Sequence, residues 1–123
     1  MTAQVYEFTM PLRTISEAND RAHWRARHER HRDQRLHTSM WMRKMLHRDH
    51  VKLSLPAVVT LTRIAHRKLD DGDNLPMSLK HVRDEIAAQL GVDDANPLIT
   101  YQYKQEKCLR GKYGVRVNFE VKK

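Results

Sequence analysis

Hydrophobic and polar positions along the chain change period several times, and each change marks an element. Val5-Tyr6-Glu7-Phe8-Thr9-Met10 is apolar-rich, partly alternates and stops at Pro11, which suits a first strand. Residues 12 to 20 read as a loop ending near Asn19. From Arg21 to about His47 there is no Gly or Pro, and helix-compatible residues dominate. Leu36, Met40, Met45 and Leu46, with Trp41 and Met42 close by, are expected to supply the apolar contacts of its second half. The first half offers little beyond Trp24, Ala22 and Ala26, so it is expected to be exposed or to meet a partner. Pro56 then introduces Ala57 to His66, a β-branched run that reads as a central strand.

Asp71-Gly72-Asp73-Asn74 is a turn cluster from which a helix should start, with Asn74 as N-cap and Pro76 in the first turn, where a missing N–H matters least. Leu79, Val82, Ile86 and Leu90 follow at spacings of three and four, an amphipathic stripe, and Gly91 is placed to end it. After the loop from Asp93 to Pro97 come two strand-like segments, Leu98 to Cys108 and Tyr113 to Val121. The second alternates clearly, with Val115, Val117, Phe119 and Val121 set against Arg116, Asn118 and Glu120. Leu109-Arg110-Gly111-Lys112 reads as the hairpin loop between them. The order strand, helix, strand, helix, strand, strand predicts an α/β (α+β) fold. Two main helices should pack on a small mixed sheet of about four strands. With 123 residues and no repeat or linker, a single domain over 1–123 is expected.

Composition narrows the function classes. No apolar run approaches the roughly 18 to 20 residues that span a bilayer, and no positive–apolar–small pattern opens the chain. A cytoplasmic protein without a membrane partner is therefore expected. Cys108 is the only cysteine, which excludes an internal disulfide scaffold and a multi-cysteine zinc site. The 23 Lys and Arg against 15 Asp and Glu leave a formal charge of +8, distributed in blocks. Nine bases lie between Arg21 and Arg48 against only Glu29 and Asp33, and seven lie between Tyr101 and Lys123 against Glu106 and Glu120. The stretch from 67 to 96 reverses the sign, with seven acids and four bases. An acidic centre between basic blocks repels a phosphate backbone unless a cation fills it, so the pattern favours a polyanionic partner with a divalent metal between.

Leu69-Asp70-Asp71-Gly72-Asp73-Asn74-Leu75 is the most chemical stretch. It follows a predicted core strand and precedes a helix, so its acids belong at the rim of the sheet. Hard divalent cations need such clustered oxygens, and Mg²⁺ commonly takes one or two carboxylates plus water and phosphate oxygens. Asp93 or Asp94, at the end of the next helix, offers another carboxylate. A turn rich in Asp for conformational reasons alone is the competing reading. No acid stands at the bidentate position that a calcium loop requires. Lys80 and Asp84, four apart on the polar side of the helix, suit either a lysine aimed at phosphate or a surface ion pair worth about 0.3–0.5 kcal/mol.

The segments Asp71-Gly72-Asp73-Asn74-Leu75, Leu79-Lys80, Val82-Arg83-Asp84 and Gly91-Val92-Asp93-Asp94-Ala95 resemble the RusA family of Holliday junction resolvases, most closely its phage and prophage members. The likeness covers roughly residues 57 to 96 and extends weakly to the first strand, Asn19 and the basic helix. It implies that Asp71, Asp73 and Asp94 bind Mg²⁺, with Mn²⁺ as a substitute and no small-molecule cofactor. It also implies that Lys80 assists phosphodiester cleavage, that Asp84 is a supporting acid, and that a homodimer cuts two strands of four-way or otherwise branched DNA. Asp70, Asp93 and His66 stand beside the site as supporting candidates. Relative to the best-known resolvase, Pro76-Met77-Ser78 reads as an insertion, while the Lys80-to-Asp84 spacing survives.

Candidate phosphate contacts are Arg21, Arg25, Arg27, Arg30, Arg32 and Arg35 on the basic helix and Lys104, Lys107, Arg110 and Lys112 in the tail. His28 and His31, and likewise His47 and His50, lie three apart but lack further ligands for zinc. Met40, Met42, Met45 and Trp41 are expected in the core or a dimer interface, and Tyr113 to Val121 offers a second way to dimerise, edge to edge. Cys108 has no base placed to activate it. The rival functional reading is a non-catalytic DNA-binding or phage regulatory protein using the same basic surfaces.

Overall fold

A computed structural model of the chain describes residues 3–15, 23–50, 53–69, 72, 74–93 and 95–122. Strand β1 (Ala3–Met10) leads to the long helix α1 (Trp24–Asp49), then β2 (Ala57–Ala65). A short helix α2 (Asn74–Ser78) and helix α3 (Lys80–Leu90) precede β3 (Ile99–Lys107) and β4 (Gly114–Lys122). The fold is α+β: one mixed four-stranded sheet in the order β1-β4-β2-β3, with β2 and β3 parallel and β4 antiparallel to both neighbours. No helix among the described residues is long and apolar enough to cross a membrane.

Alternation explains the strand order. On one face of β4, Val115, Val117 and Phe119 are fully buried and Val121 nearly so, a pattern that demands neighbours on both sides. On β3 the exposed positions are Thr100, Gln102, Lys104, Glu106 and Lys107, and even its inward face carries the part-buried Tyr101, Tyr103 and Gln105. Such a strand tolerates an edge, and charged residues there discourage unwanted pairing. β3 and β4 are therefore not a hairpin, contrary to the expectation: the connection from Cys108 to Tyr113 crosses over β2. Lys112 N–H still closes a turn on Leu109 O at 3.0 Å, and Gly111 supplies the positive φ of 89° within it.

Register aligns the core in rows. Phe8, Val117, Leu61 and Tyr103 sit opposite one another across the four strands, as do Tyr6, Phe119, Val59 and Tyr101. Leu75, Leu79, Val82 and Ile86 from the α2–α3 unit and Met42 and Met45 from α1 belong to the same buried cluster. The other sheet face carries Glu7, Thr60, Thr62, Arg116 and Asn118 and forms a broad polar concavity.

Among the described residues, helix α1 begins at Trp24 and runs two residues past the expected His47, to Asp49. Its buried residues are Gln34, Thr38, Met42 and Met45. Leu36 and Met40, expected to pack inward, are exposed instead; the inward face begins with two polar residues, which the apolar pattern does not reveal. The first turns, residues 23 to 29, are exposed throughout, as expected of a segment with so little apolar surface. The predicted single helix after Asn74 is two helices. Leu79 N–H bonds Pro76 O at 3.2 Å, a three-residue turn, and Leu79 itself leaves helical geometry at φ −109°, ψ 6°. Gly91 ends α3 in the left-handed region at φ 73°, which a glycine enters without the Cβ penalty.

The helices α1 and α3 run parallel, joined by three polar rungs spaced four residues apart on both. His31 stacks on His81 with ring centroids 3.7 Å apart, Arg35 Nε pairs with Glu85 Oε1 at 3.2 Å, and Gln89 Nε2 donates to Ser39 Oγ at 3.1 Å. One turn of each helix separates successive rungs.

Candidate functional site

The described flanks of the acidic segments meet the outer strand β3. The chain leaves β2 at Ala65, whose carbonyl accepts the Cys108 N–H at 3.1 Å. It then turns so that the Leu69 backbone meets the Gln105 side chain. Leu69 N–H donates to Gln105 Oε1 at 2.7 Å, and Gln105 Nε2 donates to the Leu69 carbonyl at 2.8 Å. A side-chain amide here imitates the two-way pairing of a neighbouring strand and fixes the main chain one residue before Asp70. Asp70, Asp71, Asp73 and Asp94 lie outside the described residues. So does Arg21.

The second acidic segment enters β3 through successive turns. Asp93 Oδ1 accepts from Ala95 N–H at 3.0 Å, and Asn96 N–H donates to the Asp93 carbonyl at 3.0 Å. Asn96 Oδ1 then accepts from Leu98 N–H at 2.9 Å, and Ile99 N–H closes on Asn96 O at 3.1 Å. These are Asx turns, in which a short polar side chain stands in for a backbone carbonyl. Thus the described flanks of both acidic segments attach to the same edge strand.

Lys80 opens α3, and its Nζ lies 3.4 Å from Asp84 Oδ2, both on the exposed side of the helix as their spacing predicts. At this exposure the pair is worth a few tenths of a kcal/mol, little enough for a phosphate to compete for the ammonium. Lys80 shares a groove with Trp24, Arg27 and His28 from the free end of α1 and with Met77 from α2. The fold thereby brings the basic helix to the lysine, across 53 residues of sequence.

The other basic candidates divide between surfaces. Arg25, Arg27 and Arg32 are exposed on α1, Arg30 is half-buried, and the Arg25 guanidinium lies 5.4 Å from the centre of the Trp24 ring. Arg35, though exposed, is engaged by Glu85, so part of its role is to hold α1 against α3. Lys104 faces the open side of the sheet, away from α1, near the Arg116–Glu106 ion pair of 2.9 Å. Lys107, Arg110 and Lys112 are exposed at the far end of β3 and its following turn.

His31 turns to His81 rather than His28, and the His47 and His50 rings stand 6.3 Å apart. Among the described residues no group of three or more His, Cys, Asp or Glu is placed to hold a metal ion. Cys108 is a free, half-buried thiol. His66 lines a pocket with Arg13, Arg63 and Arg67.

Sequence reasoning missed Gln105, Arg63 and Glu85. Gln105 left no signal, because its partner is backbone. Arg63 did leave one: it occupies an inward position between Leu61 and Ala65 in an alternating strand. The sequence matches no protein-family model and no curated protein.

Proposed function

We propose that this chain is a magnesium-dependent endodeoxyribonuclease of the RusA type, working as a homodimer on branched DNA such as a four-way junction. The observation that carries this reading is the acid–lysine pattern mounted on one β-α-β unit. Asp71 and Asp73 follow β2, Lys80 opens α3, Asp94 precedes β3, and the basic helix α1 reaches the same groove as Lys80. The donor set fits the ion: it consists of carboxylates, the hard oxygen ligands that magnesium takes.

In this reading Asp71, Asp73 and Asp94 hold magnesium, with Asp70, Asp93 and His66 as supporting groups; Mn²⁺ would occupy the same oxygens. A bound magnesium supplies Lewis-acid polarisation of the scissile phosphate and a water of lowered pKa. Lys80, released from Asp84, faces the negative charge that develops on phosphorus-bound oxygen, or orients the attacking water. Asp84 keeps the ammonium in place until substrate arrives. Arg25, Arg27, Arg30 and Arg32 hold the DNA backbone beside the lysine, while Lys104, Lys107, Arg110 and Lys112 meet a second stretch of it.

The dimer needs a surface, and the fold narrows the choice. β4 is flanked by β1 and β2, so it has no free edge for pairing across an axis. Met42 and Met45 are buried in the monomer's own core, which argues against them as interface residues, while Trp41 is half-buried against it. Trp24, Leu36 and Met40 remain exposed on α1, and the proposal places the two-fold contact on that helix.

The test is an incubation of a labelled four-way junction with the protein in Mg²⁺ and in EDTA. Paired nicks in Mg²⁺ and none in EDTA are expected. Tight binding with no cleavage in either Mg²⁺ or Mn²⁺ would overturn the enzyme reading in favour of a non-catalytic DNA-binding protein.

A further inference from the structure

Arg63 is the anomaly of the fold. It lies on the inward face of β2, in the row of Met10, Val115 and Gln105, and is only 7% exposed. Its hydrogen bonds go to neutral oxygens: Nε to Thr14 Oγ1 at 3.0 Å, Nη2 to the Thr14 carbonyl at 3.0 Å and Nη1 to the Arg67 carbonyl at 2.8 Å. No carboxylate pairs with it among the described residues. Taking a cation out of water without a counter-charge is costly, and neutral oxygens offset only part of that cost.

The surroundings compound the excess. Arg63 borders a cavity of about 530 Å³ that is also lined by Arg13, Arg67, Arg110, His66 and Tyr113. Among the described residues, the lining holds four guanidiniums and no acid. Arg13 is steadied by the Tyr113 ring, 4.6 Å from its centroid, rather than by an anion. Burial first, and the Arg13 charge after it, hold Arg63 below the usual arginine range. Even so, a guanidinium stays protonated near neutral pH. The cavity is thus a fixed concentration of positive charge, with one fork held rigidly by the fold and others on exposed stems around it.

We infer that this pocket is a binding site for a phosphoryl oxyanion, built on Arg63 and closed by Arg13, Arg67 and Arg110. Tetrahedral oxygens match the planar fork of a guanidinium, and a partly buried setting strengthens each charge-assisted bond. The phosphoryl group belongs either to a nucleic-acid backbone or to free inorganic phosphate, since the same chemistry serves both. The inference stands on the pocket's charge and does not need the nuclease reading, although the described lining shares His66 and Arg110 with the groups assigned there.

The test is run in EDTA at fixed ionic strength, so failure of the magnesium site leaves it unaffected. Inorganic phosphate is titrated calorimetrically into the wild-type protein, and a fluorescent single-stranded oligonucleotide is titrated by anisotropy. Arg67→Ala and Arg13→Ala remove exposed stems and leave the Arg63 bonds to backbone carbonyls in place. Arg63→Lys keeps the charge and loses the fork, with circular dichroism reporting whether it folds. Lys44→Ala, a cation outside the pocket, is the control. Loss of about tenfold in phosphate affinity in the two alanine variants, with less than twofold in the control, identifies free phosphate as the ligand. The same pattern with the oligonucleotide, and no binding of inorganic phosphate, identifies the nucleic-acid backbone. Equal losses in pocket and control variants, or binding by neither probe, would overturn the site.

Discussion

Gln34 offers a stability test whose sign is set by the fold. Its side chain is 1% exposed on the inward face of α1, and among the described residues neither Nε2 nor Oε1 has a hydrogen-bond partner. A buried polar group left unpaired costs roughly 1–3 kcal/mol of desolvation that nothing offsets. Gln34→Met removes that cost while keeping chain length and approximate volume, and the two residues have nearly equal helix propensity. The thioether also adapts to an irregular site. A gain of about 1–2 kcal/mol is therefore expected. In urea it appears as a higher midpoint with an unchanged m-value. In a thermal scan it amounts to about 3–8 °C for a domain of this size. Gln34→Ala provides the contrast: it also removes the amide but leaves a cavity, so it should fall below Gln34→Met by about 1 kcal/mol or more. Destabilisation of more than about 1 kcal/mol by Gln34→Met would refute the reasoning, because it would mean that the amide forms bonds that the fold does not show.

Three further outcomes follow from the site and its surfaces. DNA affinity should fall by about a thousandfold between roughly 50 and 200 mM salt if about six phosphates are contacted; a flat dependence in an anisotropy titration would remove the phosphate-tracking surface. Gln105→Leu deletes both bonds to Leu69, so it should cost about 1–2 kcal/mol in urea unfolding. It should also slow junction cleavage while changing junction affinity less than twofold, and unchanged cleavage would deny the clamp a positioning role. Light scattering at micromolar concentration should give about twice the 14.6 kDa chain mass, and Leu36→Glu with Met40→Glu should return it to the monomer value; a wild-type monomer would contradict the dimer.

The elements were largely legible in the sequence because each obeyed a local rule. Alternation marked β4, the three-four spacing of Leu79, Val82 and Ile86 marked α3, and Gly91 marked its end. Strand order was not legible in the same way. A short loop between β3 and β4 suggests a hairpin, but the choice of neighbour is made by burial over the whole sheet, which favours the fully apolar face of β4 in the interior and the polar β3 at the edge. The inward face of α1 was misread for a related reason. Gln34 and Thr38 are buried by tertiary packing, and Thr38 is satisfied by the Gln34 carbonyl at 2.7 Å, so a search for apolar residues passes over them. For the candidate site, the Lys80–Asp84 relation was readable from helical spacing. The Gln105 clamp, the α1–α3 rungs and the Arg63 pocket join residues about 36 to 100 apart and required the fold.

The central claim is that the acids serve cleavage rather than folding or binding, and Asp73→Asn separates these roles. The measurement is single-turnover nicking of a four-way junction in Mg²⁺, with affinity for the same junction measured in parallel. Cleavage should be abolished while affinity stays at or above the wild-type value, because the substitution relieves repulsion between carboxylate and phosphate. Nicking at the wild-type rate by Asp73→Asn would contradict the account.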